Sequence, residues 1–318
     1  MKILVAPLNW GLGHATRCIP LIRNYIAAGH DVILGGDGES LLLLRKLFPS
    51  LRVLEFPSLE LRYDENPQQS GFYWRAIPTL VRFSLADSYY LRQVLSRESF
   101  DLVISDNRFG LFSKDVHSVY ITHQLYPILP KRLRIFQPFA RALHARIYKR
   151  YAEVWVPDYA DVDGCLSGDL SHGGRNDGFV KYIGPLSRFS SYVEENGGTK
   201  KGVNYSIVVL LSGLEPQRTI FEQEILERYS NSEETVLLIR GKIGDPNTVV
   251  RRNNITIVPK ISDDDLVTAV RNAKKVISRS GYSTIMDLHV LGVLHKAEFY
   301  PTSGQSEQEY LNTLMQGK

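Results

Sequence analysis

The chain has 318 residues, 43% hydrophobic and 23% charged, with 38 Lys plus Arg against 34 Asp plus Glu and a net charge of +4. This composition excludes a disordered chain, the slight basic excess gives no ground for a nucleic-acid partner, and two cysteines, Cys18 and Cys165, make neither a disulfide framework nor a zinc motif. The length suits two domains of roughly 150 residues each, and no apolar run nears the roughly 20 residues of a membrane span, so a cytoplasmic protein is expected.

In chain order, short apolar runs alternate with helical ones. Residues 2–6 read as a strand rather than a signal peptide, followed by a Gly-rich turn and a helix over 16–28. Strands are expected at 31–35 and 52–56 with a helix between them at 39–48, then at 102–105, 118–122, 153–156 and 181–183. The polar stretch 187–202, with Glu194, Gly198, Lys200 and Lys201, reads as a linker. Beyond it come strands at 206–211, 236–240, 255–258, 275–278 and 297–300, and helices at 219–229, 264–272 and 283–291. Nearly wholly apolar strands separated by helices define an α/β class, with parallel sheets covered on both faces and a cleft between two domains.

Pro7 to Arg17, PLNWGLGHATR, joins the first strand to the first helix. In open α/β sheets ligands bind at such turns, because glycine lets backbone approach and helix N-termini favour anions. Gly11 and Gly13 either serve that purpose or only permit a tight turn. As a dinucleotide fingerprint, with Asp37 on the ribose, the run fails at its third glycine, where Thr16 stands. His14 at the helix opening is placed to act as a base, kept neutral by the helix N-terminus. Ser212-Gly213 and Ser278 to Ser283, SRSGYS, also lie between strand and helix, where they either cradle a diphosphate or simply cap. Asp287 accepts hydroxyls or is a solvated helix charge. The triple acid Asp263-Asp264-Asp265 is explained by capping and dipole complementation rather than by a metal.

Taken together, NWGLGHATR, the hinge segment GPLSR (184–188), SRSGYSTIMD (278–287) and PTSGQSEQEYLN (301–312) resemble nucleotide-sugar glycosyltransferases of GT-B fold. The likeness is nearest to glycosyltransferase family 28, the MurG-like enzymes that add N-acetylglucosamine to a lipid-linked acceptor. The resemblance implies an acceptor-side Rossmann-like domain over 1–186, a linker over 187–202 and a donor-binding domain over 203–318. It implies inverting transfer from a UDP-sugar, probed as substrate rather than cofactor, with no metal. Under it Gly11 and Gly13 face the cleft, His14 is the catalytic base, and Arg188 lies by the donor diphosphate. Ser212 and Gly213 belong to a first phosphate loop, and Ser280 and Gly281 to a second. Ile261, with Lys260, faces uracil. Asp287 replaces a ribose-binding glutamate, Gln308 reads the sugar, and Glu309 replaces a second glutamine.

The chain departs from the family at Glu215, a carboxylate in the first phosphate loop, and at Lys318, where members continue with helices returning to the first domain; a truncated C-terminal end is expected. The acceptor is unidentified. Tyr63, Phe72, Tyr73, Trp74, Phe83, Tyr89 and Tyr90 suit sugar stacking or lipid contact. Residues 131–150 are basic and apolar at helical spacing, without an acid. They form either a peripheral membrane contact on the inner face of the cell membrane, fitting a lipid-linked acceptor in cell-envelope synthesis, or a helix packed on its own sheet. Asp106 and His123 end strands toward the cleft and are further acceptor-side candidates. The same architecture also serves nucleotide-sugar epimerases and non-catalytic sugar-nucleotide-binding modules, and a dinucleotide-dependent oxidoreductase is a third alternative.

Overall fold

A computed structural model describes the chain apart from residues 59–71, 175–177, 195–203, 214, 242–247 and 318, and apart from the side chains of 72–77, 193 and 194. Tyr63, most of the expected linker, and the side chains of Phe72, Tyr73 and Trp74 lie outside the described residues.

Strands β1 (Lys2–Pro7), β2 (Asp31–Gly36), β3 (Arg52–Glu55), β4 (Leu102–Asp106), β5 (His117–Ile121), β6 (Glu153–Val156) and β7 (Val180–Tyr182) pair in the order β3-β2-β1-β4-β5-β6-β7. Every pairing in this sheet is parallel. Its helices are α1 (Leu12–Ala27), α2 (Gly38–Leu47), α3 (Phe72–Leu95), α4 (Gln137–Tyr148) and the short α5 (Asp169–His172). Alternation along β1 explains the two-sided core. Ile3 and Val5 pack with Ile19 and Ile22 of α1 on one face, while Leu4 and Ala6 pack with Leu91 and Val94 of α3 on the other.

After the turn α6 (Ser191–Glu194), the second sheet contains β8 (Ile207–Leu210), β9 (Val236–Ile239), β10 (Val250–Arg252), β11 (Ile255–Val258), β12 (Lys275–Arg279) and β13 (Ala297–Tyr300). Its order is β10-β11-β9-β8-β12-β13, with β10 the antiparallel edge. Helices α7 (Gln217–Tyr229), α8 (Asp263–Asn272), α9 (Tyr282–Val290) and α10 (Ser306–Gln316) complete this half. Ile207 and Val209 face one core cluster and Val208 the other. Leu166, Leu170 and Phe189, which precede the second sheet in sequence, join its cluster, so the junction between halves is apolar as well as polar. No helix among the described residues is long and apolar enough to cross a membrane.

Two elements differ from the sequence expectation in ways that matter for the cleft. Helix α1 begins at Leu12 rather than at 16, which moves His14 from the turn into the first helical turn. The aromatic-rich stretch contains α3, a 24-residue helix. Its buried residues Phe83, Asp87, Leu91 and Val94 follow helical spacing. The polar Asp87 interrupts that apolar stripe, and Pro78 lies inside the helix, so the pattern reads poorly in sequence.

Candidate active site

Both sheets end their strands toward one cavity of about 1250 Å³ between the halves. Its walls come from the β1–α1 turn, the ends of β4 and β5, and the turns that open α8, α9 and α10. This is where open parallel sheets bind ligands. His14 stands in the wall, and its Nδ1 lies 2.8 Å from Oδ1 of Asp106, the last residue of β4. Asp106 is fully buried and is gripped by Arg17, one helical turn beyond His14, through Nε and a second guanidinium nitrogen. Burial pushes the Asp106 carboxyl up, but Arg17 and His14 outweigh it and hold the group well below the ordinary carboxylate range. An ionised carboxylate only accepts hydrogen bonds. The proton of His14 therefore sits on Nδ1, and Nε2 carries the lone pair.

Burial lowers the pKa of His14, with Arg17 and His123 acting in the same direction and Asp106 opposing. The direction matches the expected neutral histidine. The cause is burial, with the Arg17 guanidinium adding to it, rather than the helix N-terminus alone.

The polar chain continues across the cleft. Arg17 donates to Nδ1 of His123 at 3.3 Å, and guanidinium has no accepting atom. Nε2 of His123 therefore donates to Oε1 of Glu307 at 2.7 Å. Glu307 lies in the first turn of α10, in the second half of the chain. The His123 ring stacks on Tyr282 of α9 at 4.1 Å, and the Tyr282 hydroxyl donates to the carbonyl of Pro157. Burial raises the pKa of Glu307, but His123, His14 and Arg17 prevail and leave it below its ordinary value. Glu307 was not singled out by the sequence. The acid two residues on, Glu309, does not wall the cavity and instead accepts from the amide of Gly304 at 3.3 Å.

Among the donor-side candidates, Gly11, Gly13, Arg188, Ser212, Gly213, Ile261, Gly281, Asp287 and Gln308 all wall the cavity. Ser280 does not: it is buried and its hydroxyl donates to the Gln308 carbonyl, tying the turn before α9 to α10. The hydroxyls presented at that helix opening are those of Ser283 and Thr284. Gln308 is fixed by accepting from the Thr302 amide at 2.9 Å. Asp287 accepts from the Ser187 hydroxyl at 2.6 Å, and burial raises its pKa to about 6 against the pull of Arg188 and Ser187. Arg188 pairs with Asp263 at 3.2 Å, and its Nε is a buried donor without a partner among the described residues.

Glu215 accepts from the amide and hydroxyl of Thr219 and pairs with Arg218, so it caps α7. The three aspartates behave as capping and pairing groups: Ser262 accepts from the Asp265 amide, Asp263 meets Arg188, and Asp264 accepts from the Tyr192 hydroxyl. Asp158, Cys165 and His172 bring metal-ligand atoms within 4.8 Å of one another. Asp158 is already saturated by the amides of Leu166 and Ser167 and the Ser167 hydroxyl, and His172 bonds Ser171 and the Ala160 carbonyl. Asp37, weighed as a ribose ligand, is nearly buried and bound by Arg108 at 2.6 Å. Arg108 also holds Asp87 of α3, so this charge cluster anchors α3 to β4.

Gly13 is needed for a close approach between the halves. A Cβ there would lie 2.8 Å from the Ser283 hydroxyl oxygen, which itself donates to the Gly13 carbonyl. Gly13→Ala is expected to destabilise the protein by about 1–3 kcal/mol, as overpacking does, and to widen the cleft. Denaturant melts and small-angle scattering check this; unchanged stability and dimensions would remove Gly13 from the interface role.

Two Rossmann-like sheets facing each other across a strand-end cleft are the GT-B fold. No family model matches the chain. It is 23% identical, over 97% of its own length and 82% of the relative's, to a protein named uncharacterized glycosyltransferase in Methanosarcina acetivorans. Among solved structures, the glycotransferase of kitacinnamycin superposes with a TM-score of 0.61 at 12% identity, covering 99% of this chain and 95% of that one. Phytolacca americana UGT2, complexed with UDP-2-fluoroglucose and pterostilbene, gives 0.61 at 14% identity over 98% and 82%.

Proposed function

We propose that the chain is an inverting glycosyltransferase that moves a sugar from a nucleoside diphosphate to an acceptor hydroxyl. The observation that carries this reading is the His14–Asp106 pair in the wall of an interdomain cavity, with its Nε2 lone pair set by geometry. Nε2 takes the acceptor proton, the acceptor oxygen bonds the anomeric carbon, and the diphosphate leaves with its electron pair from the opposite face. Arg188, the Gly213 turn and the N-terminus of α9, opened by Gly281 and Ser283, supply the positive ends that stabilise the leaving group, a task that requires no divalent ion. Asp287 takes the ribose hydroxyls, Ile261 faces the base, and Gln308, with Glu307 beside it, reads the sugar.

Within this reading the donor is a UDP-N-acetylhexosamine and the acceptor is lipid-linked, as in cell-envelope glycan synthesis. The relative's name supports the reaction class, and the UDP-2-fluoroglucose bound to Phytolacca americana UGT2 supports a UDP-sugar as donor; the N-acetylhexosamine rests on the family resemblance of the motifs. The test is a thermal-shift screen of nucleoside diphosphates and their sugars, followed by product analysis with and without acceptor. A shift with UDP and UDP-N-acetylglucosamine, and transfer that needs an acceptor, are expected. An epimerised donor without acceptor would make the protein an epimerase. Binding without any turnover would make it a binding module.

A further inference from the structure

We propose that the strip formed by residues 131–150 docks the protein on an anionic lipid bilayer and sets the mouth of the cleft against it. The segment folds as a 3-10 helix, Lys131–Phe136, running directly into α4. The inner face of α4 is already packed. The His144 ring sits edge-on to Phe109, Tyr120 and Tyr148, and Tyr148 is buried. Burial there lowers the pKa of His144 to about 4.

A helix that only covered its own sheet would be polar on its other side. Here the outer side carries Ile135, Phe136, Phe139 and Leu143, which are 82%, 53%, 70% and 49% exposed. Phe136, Phe139 and Leu143 fall three and four residues apart and so lie on one helical face. Lys131, Arg132 and Arg134 precede this apolar ridge and Arg146, Lys149 and Arg150 follow it, all exposed. No acid occurs from Lys131 through Arg150. Apolar side chains at acyl depth, flanked by cations at headgroup level, are complementary to an anionic bilayer surface; a protein partner would have to match both charge and shape.

The strip also borders the active cleft. His144 lines the main cavity, and Ile128 walls both that cavity and a second one of about 500 Å³, whose lining includes Arg134, Gln137 and Arg141. Docking by this strip therefore places the acceptor side of the cleft beside the lipid. The purpose of the docking, presentation of a lipid-linked hydroxyl to His14, rests on the function proposed above, whereas the docking itself does not.

Vesicle sedimentation without donor or acceptor tests it. The native protein is expected to bind phosphatidylcholine vesicles containing phosphatidylglycerol, to bind phosphatidylcholine alone weakly, and to release as salt rises. Removing one cation should weaken binding about fivefold. Ile135→Ser with Phe139→Ser should weaken it by more than tenfold, while thermal melting and transfer to a water-soluble acceptor stay unchanged. No binding of the native protein to anionic vesicles, or equal binding of the variant, overturns the proposal. Vesicle binding without sugar transfer would leave the docking standing and sink the glycosyltransferase reading. Transfer without vesicle binding would do the reverse.

Discussion

In the His14→Ala protein, sugar transfer falls by about 10²–10⁴-fold, the usual contribution of a positioned base, while UDP affinity stays within about a factor of two. The asymmetry follows from placement. His14 belongs to the first half of the chain, whereas the groups proposed to hold the nucleotide, Ile261, Gly281 and Asp287, belong to the second. Isothermal titration with UDP and initial-rate kinetics separate the two quantities, and equal loss of both would make His14 structural. The native enzyme should also carry a signature in pH. His14 accepts a proton only when neutral, and burial lowers its pKa. The acid limb of kcat/KM should therefore have its midpoint below the ordinary histidine value of about 6.5. A midpoint at or above that value would exclude His14 as the titrating base.

Asp106→Asn is expected to reduce both stability and activity. The buried Arg17 guanidinium loses its carboxylate, and leaving one member of a buried pair uncompensated costs about 3–5 kcal/mol, or a melting shift on the order of 10 °C. The sign with pH is fixed by the depressed pKa of Asp106. Its contribution is present at neutral pH and declines only as the solution is acidified below the unfolded value of about 3.9, so the gap between native and variant should narrow there. Activity falls for a separate reason, because an amide no longer holds the Nδ1 proton of His14 as a carboxylate does. Adding Arg17→Met to Asp106→Asn removes the orphaned charge and should recover part of the stability but none of the turnover. Parallel recovery of both would mean that Asp106 acts only through folding.

The alternation of apolar runs with helical segments made both sheets legible in the sequence, and the strand–glycine–helix pattern pointed to His14. Asp106 was readable as an acid ending a strand. Its partnership with His14 was not, because it spans 92 positions and depends on β4 lying beside β1. Glu307 and Glu309 illustrate a finer limit. Two residues on a helix point to nearly opposite sides, so choosing the acid that enters the cleft requires the phase of α10. The same applies to Ser280, which turns inward, and Ser283, which reaches Gly13. The cluster of Arg108 with Asp37 and Asp87 was hidden because its members come from three separate elements.

The seam between the halves constrains how such a protein can be rebuilt. A chimera that joins residues 203–318 of another protein to this N-terminal half must import a small residue opposite Gly13 and an acid opposite His123. Without the first, the graft meets backbone it cannot approach. Without the second, the Nε2 proton of His123 is left beside an empty place in the seam. Modular exchange of the second half in this scaffold is therefore a matter of transplanting interface pairs, with the loop proposed to read the sugar as only one part of the graft.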